Sequence, residues 1–489
     1  AVALMLQGTG SHVGKSVLVA ALGRCLLQDG WWVAPFKAQN MALNSFVTAD
    51  GGEMGRAQVT QAQACRLAPR VMMNPVLLKP SGDAQAQVIV MGKPWGNLSA
   101  AAYHTRKTEL LGVVGSALAE LRRDYEVVVI EGAGSPAEIN LREQDIVNMT
   151  TAHLADAPVV LVGDIDRGGV FASLYGTLAL LAERDRARIK GFIINKFRGD
   201  VELLKPGLRM LEEKTGLPVL GVMPYLREMR LPEEDSVNFE TRREVPAGEG
   251  QLAIAVLYLP HISNFTDFDP FDNDPAVALR YLRPGEPLPD ADLVIIPGTK
   301  NTMDDFAYLV QAGYADGLRA RVAAGKPVFG ICGGYQMLGT RLTNPHGLEG
   351  DTPQCDGLGV LDLVTELAEE KTLRQVTATH VPTGAAVRGY EIHHGVSQAG
   401  AGDTVLFAAG DRVLGSARRD GRAGGTYLHG VFDNDEYRAG FINELRARRG
   451  WPAQPARAFE RDREFDRLAE TFRTAIDLPR LYALAGLSR

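Results

Sequence analysis

Short apolar runs recur along the first half of the chain at residues 1–6, 126–130, 158–162, 190–194 and 218–222. Each is followed by a glycine or polar turn and then by a stretch in which apolar residues return at helical spacing. Near-continuous apolar runs of this length suit strands buried on both faces of a parallel sheet, with the helices packed over it. After residue 231 the pattern collapses into PEEDSVNFETRREVPAGEGQ, which is charged, carries Pro and Gly and has no apolar period, as a linker would. The alternation resumes at 252–259, 293–296 and 328–331, with shorter strands expected near Tyr390 and Tyr427. From Glu436 onward Arg and Glu fall at helical spacing, which predicts closing helices. There is no internal repeat and no low-complexity tract.

This patterning predicts an α/β protein of two domains: a parallel-sheet domain over 1–235, a linker over 236–250, a second α/β domain over 251–445, and a helical segment over 446–489 packed on the second domain. The length agrees, because 489 residues exceed what a single core holds. A hydrophobic share of 45% with 23% charged residues excludes a disordered or fibrous chain. No apolar run approaches the ~18 residues of a membrane span, and the opening run leads into a glycine loop instead of a cleavage site, so a cytoplasmic protein is expected. Cys25, Cys65, Cys332 and Cys355 have neither disulfide-framework nor zinc-site spacing. A formal charge of −7 argues against a nucleic-acid surface; an acidic substrate would need a locally basic pocket.

Directly after the first strand comes Gln7-Gly8-Thr9-Gly10-Ser11-His12-Val13-Gly14-Lys15-Ser16, followed by a helix with Val17, Ala20, Ala21, Leu22 and Leu26 on one face. Strand, glycine loop, Lys-Ser and helix are the parts of a phosphate-binding P-loop. Backbone N–H groups along Gly8, Thr9, Ser11, Val13 and Gly14 would hold ATP phosphate oxygens, Lys15 would neutralise the β and γ phosphates, and the Ser16 hydroxyl would reach Mg²⁺. Five residues separate Gly8 from Gly14, one more than in the common form, and this matches the Gly-Thr-x-x-x-x-Gly-Lys pattern of the dethiobiotin synthetase-like group, whose members activate carboxylates with ATP. Glu131 ends a buried strand before a glycine turn and is a candidate Mg²⁺ ligand; a solvent-facing strand-end Glu is the bland reading. Asp164 and Asp166 end the next strand and could serve metal or substrate. Asn195, at the end of Gly191-Phe192-Ile193-Ile194-Asn195, is placed to read the adenine edge or to form a turn.

In the second half, Val328-Phe329-Gly330-Ile331-Cys332-Gly333-Gly334-Tyr335 sets one cysteine between glycines where a buried strand should turn into a helix. This is the thiol form of a nucleophile elbow: the glycines permit the tight turn, the helix N-terminus favours the thiolate, and the N–H of Gly333 can bind an oxyanion. The other three cysteines lack this setting and are expected to be inert. A histidine must take the thiol proton and pass it to leaving ammonia. His429, in Thr426-Tyr427-Leu428-His429-Gly430, ends a short apolar run; His393 and His394 compete for the role. Gly298, in Ile296-Pro297-Gly298-Thr299, is placed to supply a second oxyanion N–H.

With both halves read, the chain resembles the cobyric acid synthase family of cobalamin biosynthesis from Gln7 to about Asp433. The likeness rests on the P-loop, on Lys37-Ala38-Gln39-Asn40-Met41, Glu53-Met54-Gly55-Arg56, Met73-Asn74-Pro75, Leu78-Lys79-Pro80, Glu131-Gly132-Ala133-Gly134-Ser135, Asp164 to Val170, and the Cys332 and His429 segments. It implies a two-domain fold: a dethiobiotin synthetase-like P-loop domain and a class I glutamine amidotransferase-like domain. It also implies ATP- and glutamine-dependent amidation of the b, d, e and g carboxylates of adenosylcobyrinic acid a,c-diamide. Cys332 would attack glutamine with His429 as its acid-base partner, and an acyl phosphate made in the first domain would be trapped by ammonia. Lys37, Asn40, Arg56, Lys79, Arg142, Asp164 and Arg167 would serve the carboxylate-rich corrinoid. Ordinary class I glutaminases carry a Glu two residues after the catalytic His, where this chain has Val431; Asp433 and Glu391 are stand-ins to consider for orienting His429. A corrinoid a,c-diamide synthase of the same architecture is the nearest alternative, disfavoured by the Asn40, Glu53 and Ser135 blocks. A P-loop regulatory ATPase carrying a non-catalytic glutaminase fold is the alternative of another class.

Overall fold

A computed structural model describes residues 1–82, 85–226 and 247–487. The chain divides into two compact units, one made of Ala1–Ala42, Glu53–Leu231 and Glu460–Arg489, the other of Leu43–Gly52 and Pro232–Phe459. Most of the expected linker, residues 236–246, lies outside the described residues.

The first unit is built on a six-stranded parallel sheet: β1 (Val2–Gly8), β2 (Val33–Phe36), β3 (Val127–Glu131), β4 (Val159–Asp164), β5 (Ile189–Phe197) and β6 (Val219–Pro224). Their spatial order is β6-β5-β4-β1-β3-β2, with every pairing parallel. All five residues of β3 are buried, as expected of a strand covered on both faces. Because β1 lies between β3 and β4, the carboxyl ends of these strands bring Gly8, Glu131 and Asp164 to one edge, where α/β sheets bind ligands. Strand β2 was not among the expected strands. Its sequence Val-Ala-Pro-Phe contains a proline, which a sheet tolerates at an edge, and β2 is the edge strand. A four-stranded sheet of Gln39–Met41, Val76–Gly82, Gln85–Val90 and Lys93–Ser99 was also not anticipated.

The helix Lys15–Gln28 is buried on more than the one face its sequence suggested. The cause is a correction to the expected domain plan: residues 460–489 belong to the first unit and not to the second. The helix Arg461–Ala475 carries Phe465, Leu468, Ala469 and Phe472 on one stripe, all at 0–1% exposure, in one core with Leu18, Leu22 and Cys25. Arg24 donates to Asp466 at 2.8 Å and pairs with Asp462 at 3.0 Å, and Ile476 bridges to Gly221 of β6. Helical spacing fixes which face of the tail is apolar but is silent on which core it fills, since any matching apolar face satisfies it. Of the expected helical segment, only residues 446–459, from the end of the helix Asp435–Arg448 to Phe459, stay with the second unit.

The second unit has a parallel core of β7 (Leu252–Val256), β8 (Val277–Tyr281), β9 (Leu293–Ile296), β10 (Val328–Ile331) and β11 (Ala423–Thr426), in the order β8-β7-β9-β10-β11. An antiparallel extension through Arg412–Arg418 and Asp403–Ala409 leads to the long pair Leu363–His380 and Ala385–Ala399. The strand around Tyr390 is thus 15 residues long instead of short, and Tyr427 sits just past β11. No helix among the described residues is long and apolar enough to cross a membrane.

Candidate functional sites

In the first unit the loop after β1 closes over an uncapped helix start. Gly14 holds φ +95°, a left-handed conformation that favours glycine, and the helix Lys15–Gln28 has no side-chain cap. A helix start preceded by a glycine loop directs its first N–H groups toward the space where an anion binds. A Cβ at Gly8 would lie 2.5 Å from Val13 and 2.8 Å from Lys15 Nζ, so only glycine lets the loop curl this tightly. The Lys15 ammonium is buried and donates to the carbonyls of Gly10 and Gly134 at 2.8 and 3.1 Å, which suspends it across the loop mouth. Thr9 N–H donates to Val162 O at 3.0 Å, and Ser11 is exposed at the loop tip.

Glu131 is 1% exposed, not solvent-facing. Its carboxylate accepts from Ser16 Oγ at 2.8 Å, Lys37 Nζ at 2.8 Å, Gln61 Nε2 at 2.5 Å and Gln58 Nε2 at 3.4 Å. Burial by itself would raise its pKa, but the Lys37 charge, these bonds and nearby Lys15 hold the carboxyl below its usual range. The carboxamide oxygens of Gln58 and Gln61 are buried without a hydrogen-bond partner, which leaves acceptors beside the Ser16–Glu131 pair. One hydroxyl, one carboxylate and neighbouring acceptor oxygens suit a small hard cation completed by phosphate and water. Among the described residues no cluster of three His, Cys, Asp or Glu forms a separate metal site.

The other polar residues expected around ligands are placed differently. Lys37 is paired with Glu131, and Lys79 with Glu53 at 2.8 Å, both pairs nearly dry. Each of these lysines thus already faces a carboxylate of this chain. Asp164 accepts from Lys196 at 2.9 Å, and Lys196 also donates to His12 O, so Asp164 is linked through Lys196 to the glycine loop. Asn195 donates to Val13 O at 2.8 Å, directly under the loop. Arg142 pairs with Asp185 at 2.8 Å and Asp166 with Arg198 at 2.7 Å. Asn40 and Arg56 are buried, 3% exposed each, while Arg167 is two-thirds exposed. Gly55 fits between Asn40, Gln58 and Asn74, where a Cβ would come within 2.6–3.0 Å of all three.

In the second unit Cys332 sits between β10 and the short helix Gly333–Met337 with φ +52° and ψ −108°, a conformation a non-glycine residue adopts only at a cost and one typical of a strained elbow. Cys332 lies within hydrogen-bonding reach of the His429 ring, and its Sγ is 3.7 Å from Ile392 O. A Cβ on Gly298 would fall 3.0 Å from His429 Cε1 and 3.8 Å from Cys332 Cβ, so this glycine keeps the space beside the sulfur open. Gly333 is packed as closely on Thr299, where a Cβ would lie 2.6 Å from Cγ2. The histidine competitors are engaged elsewhere: His393 bonds Gly395 O at 2.7 Å and stacks on Tyr427, and His394 bonds Ala368 O at 3.1 Å.

The group orienting His429 is one the sequence reading missed. Asp267 Oδ2 lies 2.7 Å from His429 Nδ1, and Asp267 Oδ1 accepts the Gly430 N–H at 2.8 Å. This leaves Nε2 for Cys332. Glu391, one of the expected stand-ins, is bound by Arg412 at 2.6 Å and His393 at 3.3 Å instead. Asp433 follows on the turn Val431–Asp433, and the Nδ1 it would have to orient is already taken by Asp267. The available signal was an Asp set among aromatic residues in Phe265-Thr266-Asp267-Phe268, where a buried carboxylate needs a partner. Burial acts to lower the His429 pKa, but the Asp267 carboxylate and the sulfur outweigh it, and the imidazole is pushed up to about 10. The protonated ring therefore contributes its full stabilisation below its ordinary 6.5 and loses it only as pH rises through about 10. Asp267→Asn is expected to lower glutamine hydrolysis about a hundredfold and to move the alkaline limb of its pH profile downward, which a pH–rate series on the variant would measure. By contrast, burial pushes the Cys25 and Cys65 thiols up to about 12.

Comparison with known proteins follows the same division. Residues 4–238 match the CobQ/CobB/MinD/ParA nucleotide binding domain, and residues 253–437 match the CobB/CobQ-like glutamine amidotransferase domain. The chain is therefore an α/β glutamine amidotransferase joined to a P-loop nucleotide-binding domain. A cobyric acid synthase of Pelotomaculum thermopropionicum is 53% identical over 99% of this chain and 97% of its own length. Those of Sorangium cellulosum and Salmonella heidelberg are 49% and 50% identical, covering 100% and 99% of this chain and 99% and 98% of their own. The chain belongs to the cobyric acid synthase family, whose members are glutamine-hydrolysing ligases.

Proposed function

We propose that this chain amidates the b, d, e and g carboxylates of adenosylcobyrinic acid a,c-diamide to adenosylcobyric acid, using one glutamine and one ATP per carboxylate. The observation that carries the reading is the Cys332–His429–Asp267 arrangement, in a chain that also holds a Lys15, Ser16 and Glu131 phosphate site. In the second unit the Cys332 thiolate attacks the glutamine amide carbon, and the N–H groups of Gly298 and Gly333 receive the oxyanion. His429 gives its proton to the leaving ammonia, then takes one from the water that opens the thioester and releases glutamate. In the first unit the substrate carboxylate attacks the γ phosphorus of ATP, releasing ADP and forming an acyl phosphate. Ammonia displaces phosphate from that acyl carbon.

Gly8, Thr9, Ser11, Val13 and Gly14 cradle the ATP phosphates, Lys15 takes their charge and Asn195 reads adenine beside the loop it braces. Ser16 and Glu131 would hold Mg²⁺, which supplies neutralisation of β and γ phosphate charge. Asn40, Arg56 and Arg167 are the residues proposed for the corrinoid. The cytoplasm is the proposed setting, since all four cysteines are free thiols and the nucleophile must stay reduced.

Incubation with ATP, glutamine and Mg²⁺ on each corrinoid, followed by mass spectrometry, tests the reading. The a,c-diamide should gain amides at b, d, e and g. Amidation confined to the a and c carboxylates of the unamidated acid would instead identify an a,c-diamide synthase.

A further inference from the structure

Residues Leu43–Gly52 occur early in the chain yet fold as part of the second unit. In sequence they lie between the strands Gln39–Met41 and Glu53–Gly55, so they are an excursion with both ends returning to the first unit's chain. The excursion carries its own turn: Thr48 N–H donates to Gly52 O at 2.7 Å, Gly52 N–H donates to Thr48 Oγ1 at 3.0 Å, and Gly51 has φ +79°.

Its first half reaches two supports of the cysteine site. Ser45 N–H donates to Asn264 Oδ1 at 2.9 Å, and Asn264, itself left-handed at φ 55°, starts the turn Phe265–Phe268 that carries Asp267. Ser45 O accepts from Tyr390 Oη at 3.2 Å, the Phe46 ring lies 4.9 Å from the Tyr390 ring, and fully buried Val47 packs with Tyr390 and Ile392. Val47 O is also bonded by Gln375 Nε2. Tyr390 in turn stacks on His429, ring centres 5.3 Å apart and planes 25° apart. The two residues exchange backbone bonds at 3.1 and 2.9 Å.

A single bond from Asp267 to Nδ1 fixes one point of an imidazole and leaves the ring able to rock about it, which would swing Nε2 away from the sulfur. A flat ring against its face removes that freedom. We propose that Ser45, Phe46 and Val47 are positioning residues of the glutaminase: they hold Tyr390 against His429 and Asn264 at the head of the Asp267 turn. The proposal rests on the reading of Cys332 and His429 as the glutaminase pair.

The test uses the full chain and measures glutamine hydrolysis, its pH profile, and ammonium-driven corrinoid amidation side by side. Phe46→Ala should lower kcat for glutamine hydrolysis about 10- to 100-fold with little change in KM, while ammonium-driven amidation stays near parental. Tyr390→Phe, which removes the hydroxyl and its bond to Ser45 O but keeps the ring, should cost about fivefold, and the conservative Phe46→Tyr should restore most of the rate. Parental hydrolysis in Phe46→Ala would overturn the proposal. So would an equal fall in both activities, since that reports a general folding defect. Undiminished hydrolysis in Cys332→Ala would bring down the underlying glutaminase reading instead, and this proposal with it.

Discussion

Replacing Cys332 by alanine is expected to abolish glutamine hydrolysis and glutamine-driven amidation while amidation driven by ammonium salt continues. The sulfur is the only atom the substitution takes away, and without it no thioester forms. The fall should be about 10⁴-fold or more, the scale on which losing a covalent nucleophile is felt. Alanine tolerates the φ +52° backbone no worse than cysteine, so the elbow between β10 and the following helix is retained. Ammonium rescue should improve toward alkaline pH as free ammonia accumulates. Failure of rescue in a variant that binds ATP normally would contradict the division of labour between the two units. Cys332→Ser supplies a second check: equal glutamate release from it and from the parent would favour the regulatory-ATPase alternative, in which the glutaminase fold only binds.

Lys15→Ala is expected to stop amidation from either nitrogen source. The ammonium sits nearly dry, bonded to the carbonyls of Gly10 and Gly134, where the β and γ phosphates would meet it. Charge developing on the transferred phosphoryl group in such a site is stabilised far more than in water, so the loss should be about 10²- to 10³-fold in kcat, with weaker ATP affinity besides. Glutamine hydrolysis in the second unit should persist. Ammonium-driven amidation at the parental rate would remove Lys15 from the phosphate site. The two substitutions thus separate the activities, one silencing the nitrogen source and the other the carboxylate activation.

What could be read in advance was local. Residues 2–16 carry a buried strand, a glycine loop, a lysine and a helix in unbroken succession, so the loop's geometry follows from neighbours in the chain. The same holds for 328–335, where the cysteine's setting between β10 and its glycines needs nothing from elsewhere. Strand β2 escaped notice because its proline reads as a breaker until an edge position is known. The tail helix 461–475 displayed its apolar stripe but not its partner, and it was expected on the wrong core.

The amino-acid sequence by itself determined the alternation of buried strands and helices, the phosphate loop and the cysteine elbow, because each is written in contiguous residues whose backbone and side-chain preferences agree. Only the tertiary structure decided that Asp267 orients His429, that Lys37 neutralises Glu131, that residues 43–52 support the second unit's site, and that the tail closes the first unit. Those decisions join residues far apart in the chain through buried charge pairing and the matching of apolar faces. Neither leaves a local pattern, since a buried carboxylate or an apolar stripe specifies that it needs a partner without specifying which one.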